Sequence, residues 1–136
     1  MVWLTRQVHP VRAMTKRIMV VDDNAAVRRA LRTLLENQKD WKVYGEAING
    51  RDAVEQAQRL HPDLIVLDLS MPVMNGLQAG RLLHSLMPNV PVILCSLHID
   101  DILQNQAAAL GIQAVVSKAQ NMQVLVKKAE ELLRAA

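Results

Sequence analysis

The residues with the clearest capacity for chemistry each stand at the end of an apolar run. Leu64-Ile65-Val66-Leu67 leads straight into Asp68, which is followed by Leu69-Ser70-Met71-Pro72. Asp22 and Asp23 follow Ile18 to Val21, Ser96 follows Val92 to Cys95, and Lys118 follows Ala114 to Ser117. A short continuous apolar run reads as a buried parallel strand, which puts each polar residue at a strand's carboxyl end. Ligands and chemistry gather at that edge of an open α/β sheet. Asp22, Asp23 and Asp68 in one cleft would repel, and a hard divalent cation is the usual remedy. Mg²⁺ suits such a set because it takes one or two carboxylates and keeps waters. The acidic loops hold no His or Cys, which argues against zinc.

A carboxylate beside Mg²⁺, with the Lys118 ammonium and the Ser96 hydroxyl converging on it, is equipped to attack phosphorus. The acid is the nucleophile, and the metal and amine neutralise the phosphoryl oxygens. An aspartyl phosphate would result. Taken singly, each residue has a blander explanation: an acid after a strand is commonly a helix N-cap, Lys118 a surface lysine and Ser96 a turn residue. Their recurrence at one sheet edge is what points to a site.

The elements that must position these groups are legible in order. Arg17 to Val21 is a β-rich run closed by Asp22-Asp23-Asn24, residues that favour turns and N-caps. Val27, Ala30, Leu31, Leu34 and Leu35 form a helical stripe over 26–37, and Trp41 to Ala47 reads as a second strand. A second helix over 51–60 stops at His61-Pro62, since the residue before proline is pushed out of helical geometry. After the central strand and Asn75-Gly76 comes a third helix to Met87-Pro88, within which Gly80 has no role that the sequence explains. Pro91 to Cys95 is a strand, Asp100-Asp101 can cap a helix over 102–110 that Gly111 ends, Ala114 to Val116 is a weak fifth strand, and a closing helix covers 121–134. Five strands alternating with five helices predict a doubly wound parallel sheet, because parallel neighbours need crossover helices.

At 136 residues the chain is expected to form one domain with a sizeable core. Hydrophobic residues make up 51% but aromatics only 2%, with no Phe, so the core must be built of Leu, Val, Ile, Met and Ala. The lone Cys95 excludes an internal disulfide, and its place at a strand end reads as core packing. Net charge is +3, and Arg6, Arg12, Lys16 and Arg17 fall in a first segment without acids. That segment has neither helical period nor a secretory core, so residues 1–15 are expected to be a disordered extension and 16–136 the folded domain. No run approaches the length of a membrane span, and a cytoplasmic protein is expected.

The segments Ile18-Met-Val-Val-Asp-Asp-Asn24, Asp68-Leu-Ser-Met-Pro-Val-Met-Asn-Gly76, Val92-Ile-Leu-Cys-Ser96 and Ser117-Lys118 resemble the CheY-like receiver domain of two-component response regulators. The match spans roughly residues 16 to 134, and Val43 to Ala53 looks most like receivers of the NarL/LuxR type. The resemblance implies a flavodoxin-like (βα)5 fold with strand order 2-1-3-4-5. It also implies that Asp68 accepts a phosphoryl group from a sensor histidine kinase. Asp23 and Asp68 would bind Mg²⁺ directly, Asp22 through water, and Ser70 through its backbone carbonyl. Ser96 and Lys118 would each pair with a phosphoryl oxygen, while Ser70 and His98 occupy positions that tune phosphate lifetime. Such a domain is a phosphoacceptor rather than an enzyme with a separate substrate. It signals by protein contact, commonly as a homodimer through its fourth helix, fifth strand and fifth helix.

Three departures from the family pattern stand out. Val115 takes the place of an inward-turning aromatic, Leu97 replaces a small residue beside Ser96, and Ala119 replaces a common proline. The first two keep open a second reading, a degenerate receiver that binds partners without phosphorylation. An Asp-nucleophile phosphatase fits less well, because the first-strand acids are adjacent rather than Asp-x-Asp. Flavin or dinucleotide binding lacks a Gly-rich loop after the first strand. No helix-turn-helix pattern is present, so direct nucleic-acid binding by this chain is not expected.

Overall fold

Short β-rich runs of four to seven residues and helical stretches of nine to thirteen alternate along the chain, and each becomes one element. The computed structural model describes residues 15–135. In chain order these are β1 (Lys16–Val21), α1 (Ala25–Glu36), β2 (Trp41–Ala47), α2 (Gly50–Leu60), β3 (Leu64–Asp68), α3 (Gly76–Leu86), β4 (Val92–Ser96), α4 (Asp101–Ala109), β5 (Ala114–Ser117) and α5 (Gln123–Ala135). All strands pair in parallel in the order β2-β1-β3-β4-β5. The expectation for residues 1–14 lies outside the described residues.

Side-chain alternation along each strand divides the core between the two faces of the sheet. Ile18, Val20, Val66, Ile93 and Val116 pack under α1 and α5, against Leu31, Leu35, Leu125 and Leu133. Met19, Val21, Ile65, Leu67 and Leu94 pack under α2, α3 and α4, against Ala57, Ala79, Leu83 and Leu103. Both β3 and β4 are buried along their whole length, as unalternating apolar strands must be.

Local chemistry sets the element boundaries. Asn24, Asn49, Asn75 and Asp100 each accept a backbone N–H from the first turn of the following helix, and Gln78 completes a capping box with Asn75. Capping by Asn49 starts α2 at Gly50, one residue before the periodicity indicates. The Asn121 carboxamide accepts from the Gln123 amide, and α5 begins there, two residues later than expected. His61 leaves the helical region for φ 50°, and Gly111 stops the chain after α4 at φ 87°.

Gly80 now has an explanation. A Cβ there would lie 2.6 Å from Ile112 Cδ1, so the missing side chain admits Ile112 between α3 and the sheet. Val73, at φ 69°, was not foreseen. A β-branched residue in the left-handed region is strained, and this one is 71% exposed, in the loop between β3 and α3.

Candidate active site

The strand order places the carboxyl ends of β1 and β3 side by side, with Val21 opposite Leu67. The next residues along are Asp22 and the strand-ending Asp68, and Asp23 follows on the rim. One carboxylate oxygen from each of Asp22, Asp23 and Asp68 lies within 4.8 Å of the others. Asp22 and Asp68 are buried, at 2% and 6% exposure, whereas Asp23 is exposed. On the other side β4 delivers Ser96, buried like Asp22 and Asp68, and β5 feeds into Lys118. The Lys118 amide donates to the Ser96 carbonyl at 2.8 Å, which ties the two loops together.

Lys118 Nζ bridges the acids, 2.6 Å from Asp68 Oδ1 and 2.9 Å from Asp22 Oδ2. Burial works against the Lys118 charge, but hydrogen bonds to the two carboxylates outweigh it and push the amine's pKa up. The same contact does not rescue Asp68 fully. Burial raises its carboxyl pKa above the usual range, and the nearby Asp22 and Asp23 charges add to that, against the lowering effect of Lys118. The difference follows from depth and company: the lysine side chain is 22% exposed and meets only opposite charge, whereas the side chain of Asp68 is 7% exposed and faces two like charges.

The Ser96 hydroxyl donates to the His98 carbonyl at 2.9 Å and thus to its own loop. Ser70 lies in the exposed loop just beyond Asp68, where the Leu69 amide bonds the Cys95 carbonyl at 2.9 Å. Cys95 is buried, and its thiol is pushed up to about 12, chiefly by burial, so it is not a nucleophile. Val115 is partly buried on the face covered by α2, α3 and α4.

A supporting layer escaped the sequence reading. Arg28, one turn into α1, donates to the Asp22 carbonyl at 2.7 Å and to Glu46 on β2 at 3.0 Å, and the Asn24 amide donates to Asp22 Oδ1 at 2.9 Å. Arg32 closes on Glu46 at 2.6 Å. The hydrogen bonds from Arg32 lead those that hold the Glu46 carboxyl below its usual range against the opposing effect of burial. The only sequence signal for this clamp is Arg28-Arg29 early in a helix that follows the acids, which is too common a pattern to single out.

The chain belongs to the response regulator receiver domain family, whose profile matches residues 18–130. Its relatives include the chemotaxis protein CheY of Thermotoga maritima, 38% identical over 106 residues that cover 78% of each chain. The protein-glutamate methylesterase/protein-glutamine glutaminase of Caldanaerobacter subterraneus subsp. tengcongensis is 44% identical over 75% of this chain and 28% of its own. Against methylesterases of this kind the chain spans about a quarter of the relative's length. Among solved structures, a LuxR-family two-component response regulator from Aurantimonas sp. SI85-9A1 superposes with a TM-score of 0.85 at 28% identity, covering 89% of this chain and 86% of that one. The flavodoxin-like receiver fold and the resemblance to NarL/LuxR-type regulators are thereby established. Among the described residues no helix is long and apolar enough to cross a membrane.

Proposed function

We propose that Asp68 accepts a phosphoryl group from a phosphohistidine of a sensor kinase, and that the resulting acyl phosphate switches this domain's protein contacts. The observation that carries this reading is the position of Lys118 Nζ, shared between Asp22 and the buried Asp68 at the carboxyl edge of the sheet. In the transfer an Asp68 oxygen bonds to phosphorus as the phosphorus–nitrogen bond of the donor breaks and the imidazole leaves with its electron pair. Lys118 is held protonated by its carboxylate neighbours and passes from the Asp68 carboxylate to a phosphoryl oxygen as charge moves outward. Ser96 exchanges its bond to the His98 carbonyl for one to a second phosphoryl oxygen, drawing the loop after β4 toward the site.

The residues present suit Mg²⁺: three clustered carboxylates, hard oxygen donors only, and more negative charge than one lysine balances. Asp23 and Asp68 would hold the ion directly, Asp22 through water and Ser70 through its carbonyl, and the ion would neutralise phosphoryl oxygens. In this reading residues 16–136 form a cytoplasmic signalling unit, not an enzyme acting on a separate substrate. Its output is a contact made through α4, β5 and α5, including self-association.

The test is the intact mass of the protein after incubation with acetyl phosphate, with and without Mg²⁺, beside Asp68→Asn. A gain of one phosphoryl group that requires both Mg²⁺ and Asp68 is expected. No gain by a folded protein would overturn the proposal in favour of a phosphorylation-independent binding module, the reading to which the exposed Leu97 at the site's mouth lends some weight.

A further inference from the structure

Asp22 is held at each of its polar atoms. Its amide donates to the Ala47 carbonyl at 3.1 Å, Oδ1 accepts from the Asn24 amide at 2.9 Å, and Oδ2 accepts from the Lys118 ammonium at 2.9 Å. The remaining bond comes from Arg28, whose Nη1 donates to the Asp22 carbonyl at 2.7 Å. That carbonyl belongs to the planar peptide joining Asp22 to Asp23, so its direction fixes the plane from which both carboxylates leave the backbone. Among these bonds, Arg28 makes the one that reaches in from a helix, and its side chain is only 17% exposed.

A guanidinium beside a cation site carries a cost, because like charges repel. The fold offsets it with Glu46, on β2 opposite Val20 of β1. Glu46 Oε1 accepts from Arg28 Nε at 3.0 Å, and Oε2 accepts from Arg32 Nη2, one turn further along α1, at 2.6 Å. The rigid fork of the Arg28 guanidinium is thus set between two acceptors, one on the loop that carries the acids and one on the sheet. From this geometry, and resting on the reading of Asp22, Asp23 and Asp68 as a Mg²⁺ site, we infer that Arg28 is a positioning residue for the metal. Anchored by Glu46, it orients the peptide between Asp22 and Asp23 and so sets how tightly Mg²⁺ binds. Groups that orient metal ligands from outside the coordination sphere change metal affinity by about ten- to a hundredfold when removed.

Charge gives the test its sign. Arg28→Met takes a positive charge away from the acids, so electrostatics alone would tighten Mg²⁺ binding, whereas loss of positioning weakens it. The whole protein, ¹⁵N-labelled, is titrated with Mg²⁺ in the absence of phosphodonor while amide shifts are followed. Exchange of the Asn24 amide, which donates to Asp22 Oδ1, is measured on the metal-free protein. Arg28→Met is expected to weaken Mg²⁺ binding about tenfold and to speed exchange at Asn24 several-fold. Arg29→Met, the same change at the exposed neighbouring position of α1, is expected to leave both within about twofold. Unchanged or tighter Mg²⁺ binding by Arg28→Met, an equal loss in Arg29→Met, or Asn24 exchange as slow as in the unaltered protein would overturn the inference. If Arg28→Met fails to fold, Glu46→Gln, which frees the other end of the guanidinium, is expected to move both readouts in the same direction, and unchanged exchange at Asn24 there would overturn it. Asp68→Asn distinguishes failure of the metal site from failure of the role of Arg28. Should the unaltered protein bind no Mg²⁺, or Asp68→Asn bind it as tightly, the metal site falls and this inference with it. Should Asp68→Asn lose Mg²⁺ while Arg28→Met keeps it, only the role of Arg28 falls.

Discussion

Asp68 is held in a setting that makes its charge expensive. Burial, reinforced by Asp22 and Asp23, raises its carboxyl pKa in the fold. An acid so shifted favours folding while protonated, below its unfolded pKa, and that advantage is lost as pH rises through the folded value. At neutral pH without metal, Asp68→Asn should therefore raise Tm by a few degrees, and the difference from the unaltered protein should vanish in melts run at pH values below the ordinary carboxylate range. Mg²⁺ should raise the Tm of the unaltered protein and not that of Asp68→Asn. Val73 stores strain of a different kind. A left-handed conformation costs a branched residue about 1–2 kcal/mol, and glycine returns part of that in unfolded-chain entropy, about 0.5–1 kcal/mol. Val73→Gly should thus stabilise the fold by about 0.5–1 kcal/mol in urea denaturation, since this exposed side chain loses little packing. The acids, Ser96 and Lys118 were legible in the sequence because each follows an apolar run. The conformation at Val73 was not, because the turn between β3 and α3 imposes it and nothing in the residue's type announces it.

Among the elements, α1 is fastened to β2 by charge as well as by apolar contact. Glu46 accepts from Arg28 and Arg32, and Arg28 also grips the loop that carries Asp22. A carboxyl whose folded pKa is depressed contributes stability above its unfolded value, and that contribution is lost as pH falls through the folded one. Glu46 is about one-third exposed, which screens the pair, so Glu46→Gln should cost about 0.5–1 kcal/mol at pH 7. That cost should disappear in denaturation curves recorded well below pH 4.5, the carboxyl's ordinary value. Helix and strand positions followed from periodicity, and the boundaries differ by one or two residues, at the starts of α2 and α5 because Asn49 and Asn121 take over the capping. Gly80 resisted explanation from sequence because its reason is Ile112, a residue 32 positions away that topology brings beneath α3.

At the scale of the molecule, one topological fact organises the chemistry. The order β2-β1-β3-β4-β5 sets the ends of β1, β3, β4 and β5 along a single edge, and the four segments that matter converge there. Alternation of strands and helices makes that order legible, since it leaves few ways to wind a parallel sheet. A cavity of about 490 Å³ beneath α1 was not legible: a shortage of aromatics is visible in composition, but where the missing volume falls depends on packing. Of the three neighbouring acids, Asp68 is the one expected to carry the phosphoryl group. Borohydride reduction of the acetyl-phosphate-treated protein converts an aspartyl phosphate to homoserine, and peptide mass mapping then locates it. Homoserine is expected at position 68 alone, and only when Mg²⁺ was present. Homoserine at position 22 or 23, or none in a folded protein, would contradict it.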